Sequence, residues 1–381
     1  MKFVPTELSD AELALQTAVR RFLDRELTRG SYEPGLGMDG PKDIEFSKKL
    51  AAQGWVGMAV PRQYGGGGRS VVQRFVVAEE LLRWGAPVAH HWFADRQVGP
   101  LIARFGTDEQ KTRFLPKICG AELSFCIGMS EPDAGSDLAS VKTFARKVND
   151  GWLVNGTKIW TSHAHRHDWM LTLVRTQPLD ASNRHAGLSQ VLIPLGRETV
   201  TVNPITYLDG RTEFNEVVLH DVFVPDADLL GTAGAGWTQV TSELVFERSG
   251  PDRWLSTYLL VEEFLRQNDG VDLEDRALEL LGFAGAQWWA LRNLSLSLAR
   301  ALDGGETSGA VEASLVKAMG TRFEQNVLEA VRQLVDLEPS QESAILFERL
   351  LSNAILSGPS FTIRGGTIEV LRSLIAKGVY R

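Results

Sequence analysis

Cysteine is nearly absent: Cys119 and Cys126 are the only two in 381 residues. Two thiols cannot build a disulfide framework, and no further cysteine is available to complete a zinc site, so both are expected to stay reduced. A long apolar run is also missing. No window reaches the ~18 uninterrupted apolar residues of a membrane span, and residues 1–22 hold no signal-peptide core, so a cytoplasmic chain is expected. Basic charge is in deficit, with 40 Lys and Arg against 48 Asp and Glu and a net charge of −8. That balance weighs against a nucleic-acid binder, which needs a basic stripe to replace phosphate counterions. What remains is 44% hydrophobic and 23% charged, an ordinary globular composition. At roughly 150 residues per domain the length predicts two or three domains.

The hydrophobic period changes twice along the chain. To about Gly120 it is helical: Ser9 to Glu12 form a capping box ahead of Leu15, Val19, Phe22 and Leu23 on one face. Helices follow over 43–53 and 71–84, joined by a stretch containing Gly65 to Gly68. That run lacks the Gly-Lys-Ser/Thr ending of a phosphate loop and is expected to be a flexible connection. From Leu123 to Leu229 short β-type runs take over, with Asn155-Gly156 as a turn signal and strands expected at 151–154, 170–174, 189–195, 200–203 and 216–219. Beyond Gly236 the pattern is helical again, broken at Gly250-Pro251, Asn268-Asp269-Gly270 and Asp303-Gly304-Gly305. The order predicts an α+β chain: an N-terminal helical domain (1–120), a middle antiparallel β-barrel or sandwich (121–230) and a C-terminal helical bundle (231–381).

Two stretches carry the chemistry. Met129 to Asp137 is a loop of small residues and hydroxyls whose backbone donors can approach a planar polar ligand. In Asn155 to Ser162, Trp160 adjoins Thr161 and Ser162, an aromatic plate with donors that suits an isoalloxazine ring. His163, His165 and His167 would share one face of a strand and could bind a metal, but no acidic or cysteine ligand accompanies them and no metal site is assigned. His90-His91-Trp92 reads equally as helix packing or as the wall of a pocket.

These motifs resemble the acyl-CoA dehydrogenase family nearly end to end. Phe105 to Lys111 with Leu115-Pro116 is similar to the close of the family's N-terminal domain. The Ser-Glu-Pro-x-Ala-Gly-Ser-Asp loop and the Asn-Gly-x-Lys-x-Trp strand resemble its flavin-binding middle domain. Val222 to Pro225 and Gly231 to Trp237 resemble the exit from that domain, and Gly365 to Arg372 resembles its C-terminal FAD motif. The resemblance implies FAD, with Ile127, Met129, Ser130, Gly135 and Ser136 lining the flavin and Ser136 also lying towards the CoA chain. It further implies that Trp160, Thr161 and Ser162 flank the ring, and that Gly366, Thr367 and Glu369 contact FAD in the assembled oligomer.

Removing the α-proton of an acyl thioester needs a carboxylate. Many family members carry it in a Glu-Gly-Thr triplet, which here is Gly365-Gly366-Thr367. A second branch places the base on a helix after the middle domain, directly before an arginine, where this chain has Glu247-Arg248. Glu247 is therefore the expected base, with Arg248 against substrate and the Gly365 N–H polarising the thioester carbonyl. Pro251, four residues on, would remove the helical bond to the Glu247 carbonyl, so a kink or an unwound turn is expected at 247–251. The ordinary alternative is a surface Glu-Arg pair on a bent helix.

One motif is missing. The family's Arg-x-x-Phe-Gly-like segment, which holds a partner subunit's FAD, has no clear counterpart between Arg266 and Phe283. The implied partners are an acyl-CoA, an electron-transfer flavoprotein, and either further copies of the chain in a homodimer or homotetramer or a homologous subunit. The alternatives are a binding subunit of a heteromeric dehydrogenase without turnover of its own, and a flavin oxidase or monooxygenase on the same fold. The Gly-Gly-Thr form also resembles bacterial dehydrogenases of sterol-derived or other unusual thioesters.

Overall fold

The computed structural model describes residues 3–38, 40–305, 309–336 and 339–380. Helices α1 (Asp10–Glu26), α2 (Ile44–Ala52), α3 (Val71–Arg83), α4 (Gly99–Phe105) and α5 (Asp108–Cys119) come first. Strands β1 (Phe125–Gly128), β2 (Phe144–Val148), β3 (Gly151–Ser162), β4 (Trp169–Arg175), β5 (Leu188–Pro194), β6 (Val200–Pro204) and β7 (Phe214–Pro225) follow. Helices α6 (Gly236–Ser249), α7 (Tyr258–Gln267), α8 (Asp275–Asp303), α9 (Ala310–Leu334), α10 (Leu346–Ser357) and α11 (Ile368–Val379) complete the chain. The expected order of helices, strands and helices is observed. The capping box on Ser9 and Glu12 is present, and Ser70 with Gln73 and Thr107 with Gln110 repeat it on α3 and α5.

Contacts group the chain into two compact units. One comprises Met1–Lys42, Ser70–Ala89 and Leu244–Arg381, and the other Asp43–Arg69 and His90–Glu243. Within the first, α1, α3 and α8 are tied by arginines to sunken carboxylates: Arg300 to Glu12, Arg20 to Glu80 and Arg292 to Glu79.

The second unit holds a seven-stranded sheet of order β1-β4-β2-β3-β7-β6, with β5 paired to β4. It is not wholly antiparallel as expected. β4 runs parallel to β1 over four pairs and touches β2 through a single parallel pair, Phe144 with Arg175. The long connection from β1 to β4 permits this, since a parallel neighbour needs a crossover and not a hairpin. β4 is covered on both faces. Met170 and Val174 join one core and Leu171 packs with Phe114, Ile118 and Phe125 in another, which explains why β4 is apolar from Trp169 to Val174 apart from Thr172.

Two local expectations are corrected. Asn155-Gly156 is no turn; it lies inside β3, at a register shift against β7. A Cβ on Gly156 would run into Thr143, and Asn155 exchanges two hydrogen bonds with Asp221 across the strands. The β2–β3 turn is Asn149-Asp150, with Asp150 at φ 58°. The Gly65–Gly68 run is packed, not flexible: the Gly66, Gly67 and Gly68 amides donate to the Pro61, Gly57 and Val60 carbonyls. A Cβ on Gly66 would strike Val60.

Candidate active site

In the second unit the loop after β1 is clasped to β3. The Ile159 amide donates to the Ser130 carbonyl at 2.9 Å, which brings Ile127, Met129 and Ser130 beside Trp160, Thr161 and Ser162. Beneath the clasp Lys158, fully buried, donates to Glu131 at 2.8 Å and to the Met129 carbonyl at 3.1 Å. Glu131 also accepts from the Thr143 amide at 2.9 Å. Burial, opposed by Glu131, lowers the Lys158 ammonium to about 8. Neither residue was singled out from the sequence. For Lys158 the signal was available, since it is the one ionisable residue between Asn155 and Ser162; Glu131 shares its loop with Asp133 and Asp137 and does not stand out there.

Trp160 is not a core tryptophan. It is 55% exposed, its backbone is left-handed at φ 57°, and Phe214 meets it edge-on at 6.0 Å. Thr161 beside it is fully buried, with a hydroxyl that has no partner. An uncovered indole face next to an unsatisfied hydroxyl fits a planar polar ring. Gly135 and Ser136 lie further along the loop and are exposed.

The histidines do not share a strand face. Ala164–Arg166 is a 3-10 turn, His163 is left-handed, and His165 bonds Asn215 at 2.8 Å. Among the described residues no group of three potential ligands is placed to hold a metal. His90 and His91 are buried against the Ala121 carbonyl and the Ser47 hydroxyl, as packing residues. Burial pushes His91 down to about 4.

In the first unit Glu247 lies two residues before the end of α6. The helix does not kink at Pro251 but stops at Ser249; Gly250 is extended and Pro251 opens a short 3-10 turn. The Glu247 carbonyl, deprived of its helical donor, accepts from Arg253 Nε at 2.8 Å, and Arg253 Nη2 meets Glu247 Oε1 at 3.2 Å. This is no surface Glu-Arg pair: the Glu247 side chain is 19% exposed, its partner is Arg253, and Arg248 is buried. Arg248 donates through Nε to the Gly365 carbonyl at 3.1 Å.

Gly365 and Gly366 both have positive φ, 67° and 96°. A Cβ on Gly365 would stand 2.9 Å from Glu247 Oε1 and 3.1 Å from Arg253 Nη2. The triplet glycine thus occupies a position where the helix-borne carboxylate leaves no room for a side chain. Among the described residues the Gly365, Gly366 and Thr367 amides have no acceptor within the chain, so the turn presents open donors beside Glu247. The Thr367 hydroxyl caps α11, and Glu369 is exposed in its first turn.

Models of the N-terminal, middle and C-terminal domains of acyl-CoA dehydrogenase match residues 9–122, 126–222 and 275–380. Acyl-CoA dehydrogenase FadE26 of Mycobacterium tuberculosis (strain ATCC 25618 / H37Rv) is 32% identical over 348 residues, covering 87% of this chain and 86% of FadE26. The chain belongs to the acyl-CoA dehydrogenase family. Acyl-CoA dehydrogenase IpdE1 of the same organism is 42% identical over 221 residues, 56% of this chain. That match spans only 57% of IpdE1. Among solved structures, the Tcur3481-Tcur3483 steroid ACAD superposes with a TM-score of 0.84 at 28% identity, over 98% of both chains. The ChsE4-ChsE5 complex from Mycobacterium tuberculosis gives 0.83 at 26% identity, over 99% of both. Members of the family are FAD flavoproteins, and within the second unit the uncovered Trp160 and the unsatisfied Thr161 hydroxyl fit the ring of such a group.

Proposed function

We propose that the chain catalyses α,β-dehydrogenation of an acyl-CoA thioester, with Glu247 as the base. One observation carries this reading: the Glu247 carboxylate stands against the Gly365 turn, in the space that a side chain at position 365 would need. Base and carbonyl donor are thereby adjacent although they lie 118 residues apart in sequence. Bound FAD supplies the acceptor for the hydride that leaves the β-carbon. Glu247 takes the α-proton, and the Gly365 amide donates to the thioester oxygen as enolate charge develops there. Arg253 fixes the carboxylate, and Arg248, turned to the Gly365 carbonyl, acts through the turn. Ile127, Met129, Ser130, Gly135, Trp160, Thr161 and Ser162 line the ring, and Ser136 lies towards the CoA chain. Gly366, Thr367 and Glu369 meet FAD in the oligomer, and electrons leave to an electron-transfer flavoprotein.

We further propose a homologous subunit as the partner. On α8 the residues Leu278, Gly282, Gly285 and Trp289 form an exposed stripe, with Trp289 at 72% exposure and open space at both glycines. The missing Arg-x-x-Phe-Gly-like segment leaves flavin contacts for another chain to supply, and two of the similar solved structures are described by paired chain names. The steroid description of one of them supports a bulky, sterol-derived acyl group as substrate. Anaerobic titration of the FAD-loaded protein with a panel of acyl-CoAs tests the reading. Wild type is expected to bleach with its preferred class, while Glu247→Gln binds the same ligand and stays yellow; bleaching of the variant at the wild-type rate contradicts the assignment.

A further inference from the structure

The inward face of α9 carries a polar stripe among Val316, Phe323, Val327 and Val331, where the buried side of an amphipathic helix is normally apolar throughout. Lys317, Gly320, Thr321 and Glu324 recur at helical spacing, and the three side chains are fully buried. Three of the four are accounted for. Thr321 donates to the Lys317 carbonyl at 2.9 Å, and a Cβ on Gly320 would strike the Arg253 carbonyl. Glu324 accepts from the Ser256 amide at 2.7 Å and lies 3.5 Å from Arg364 Nη2. Lys317 is different: its ammonium makes one hydrogen bond, 2.7 Å to the Gly366 carbonyl. Among the described residues it forms no ion pair, although a buried lysine is almost always paired.

Two cations therefore hold the two carbonyls of the Gly365-Gly366 pair, Arg248 the first and Lys317 the second. A peptide N–H points away from the carbonyl of its own peptide, so fixing these oxygens fixes the directions of the Gly366 and Thr367 amides directly, and the Gly365 amide, one peptide earlier, only through the position of the turn they anchor. Glycines at positive φ have little else to hold them there. A cationic donor on a carbonyl also polarises that peptide and strengthens the N–H as a donor.

We propose that Lys317 is a positioning residue for the dehydrogenation: from inside α9 it clamps the Gly366 carbonyl and keeps the open amides of the turn in place beside the Glu247 carboxylate. This rests on the Glu247–Gly365 reading given above. The ammonium is held against its own preference. Burial and the facing cations Arg253 and Arg364, with Arg248 beyond them, push it down to about 7, and only Glu247 opposes them. On its own helix Glu324 is engaged with Ser256 and Arg364. Between about 7 and the ordinary value of 10.5 the unfolded chain keeps a proton that the folded chain has released. Stability therefore rises with pH through that window, and below it the fold carries the full cost of the buried charge. A lysine kept only for stability does not fit that sign.

Lys317→Met and Lys317→Gln test the clamp in the FAD-loaded holoenzyme. Lys317→Met is expected to lower kcat about 10- to 100-fold, the scale of a small misplacement, with KM changed less than threefold and Tm unchanged or higher. Lys317→Gln, which still donates to a carbonyl, is expected to recover part of the rate. The second readout is the infrared carbonyl stretch of a bound, carbonyl-labelled thioester that lacks β-hydrogens and so cannot lose hydride. With Lys317→Met it should move towards its value in water, whereas with Glu247→Gln it should stay polarised while α-proton exchange fails. Wild-type kcat and carbonyl stretch in Lys317→Met overturn the clamp, as does a loss of Tm and rate together with an unmoved stretch. Normal α-proton exchange in Glu247→Gln overturns the base assignment instead.

Discussion

Gly365 has two reasons to be glycine, and only one was legible in the sequence. Its replacement of the family's glutamate pointed to Glu247, because the chemistry still needed a carboxylate. The other reason is spatial: φ is 67°, and the place of a Cβ is taken by the Glu247 carboxylate and the Arg253 guanidinium. Gly365→Ala is expected to lose about 1–2 kcal/mol to the left-handed backbone. It should also lower kcat about tenfold or more by displacing the base, as one ångström of misplacement does; urea unfolding and flavin-reduction kinetics measure the two effects. Lys158 belongs to the same scale. Lys158→Met leaves the Glu131 carboxylate buried and unpaired, at a cost of about 3–5 kcal/mol, and unfastens the loop that carries Met129 and Ser130. Released flavin, read by fluorescence after gel filtration, should rise sharply. Lys158→Met/Glu131→Gln should recover most of the stability because no lone charge remains.

At the scale of elements, periodicity recovered most of what was present. Ser9, Asp43, Ser70 and Thr107 begin helices as their side chains dictate, and α8 ends at the expected break of Asp303-Gly304-Gly305. The failures have a common cause in hydrogen bonds that residue pattern alone does not show, some of them distant in sequence. Asn155-Gly156 carries the composition of a turn, yet pairing of β3 with β7 absorbs it as an irregularity, held by Asp221 sixty-six residues away. Pro251 announced a disruption, but only the structure shows that α6 ends there and that Arg253 takes over the orphaned carbonyl. The polar stripe of Lys317, Thr321 and Glu324 on α9 was not read from the sequence, because its meaning required the turn at 365–367.

The contact between His91 and α2 makes stability depend on pH. The imidazole lies on the Ser47 hydroxyl of α2 and titrates near 4 in place of its ordinary 6.5. Between those values the unfolded chain takes up a proton that the folded chain refuses, so stability falls as pH drops from 6.5 towards 4. The shift corresponds to about 3 kcal/mol. His91→Gln should flatten that dependence in urea midpoints compared at pH 7 and pH 4.5; an equal acid loss in the variant places the sensitivity elsewhere.

For the whole molecule, family membership rests on ordered motifs spread over three matched domains, and that much was readable before any coordinates. The two compact units were not, because contacts distant in sequence gather residues 1–42 and 70–89 with the C-terminal helices. The proposed chemistry nonetheless turns on one carboxylate, that of Glu247. Its most direct measurement is the exchange of the α-proton of a bound thioester with deuterated solvent, using a compound without β-hydrogens so that no redox step intervenes. Wild type is expected to exchange it readily, and Glu247→Gln to do so at least about 100-fold more slowly, the usual contribution of a positioned base. Exchange at the wild-type rate in Glu247→Gln, with the ligand bound, would show that another group removes the proton.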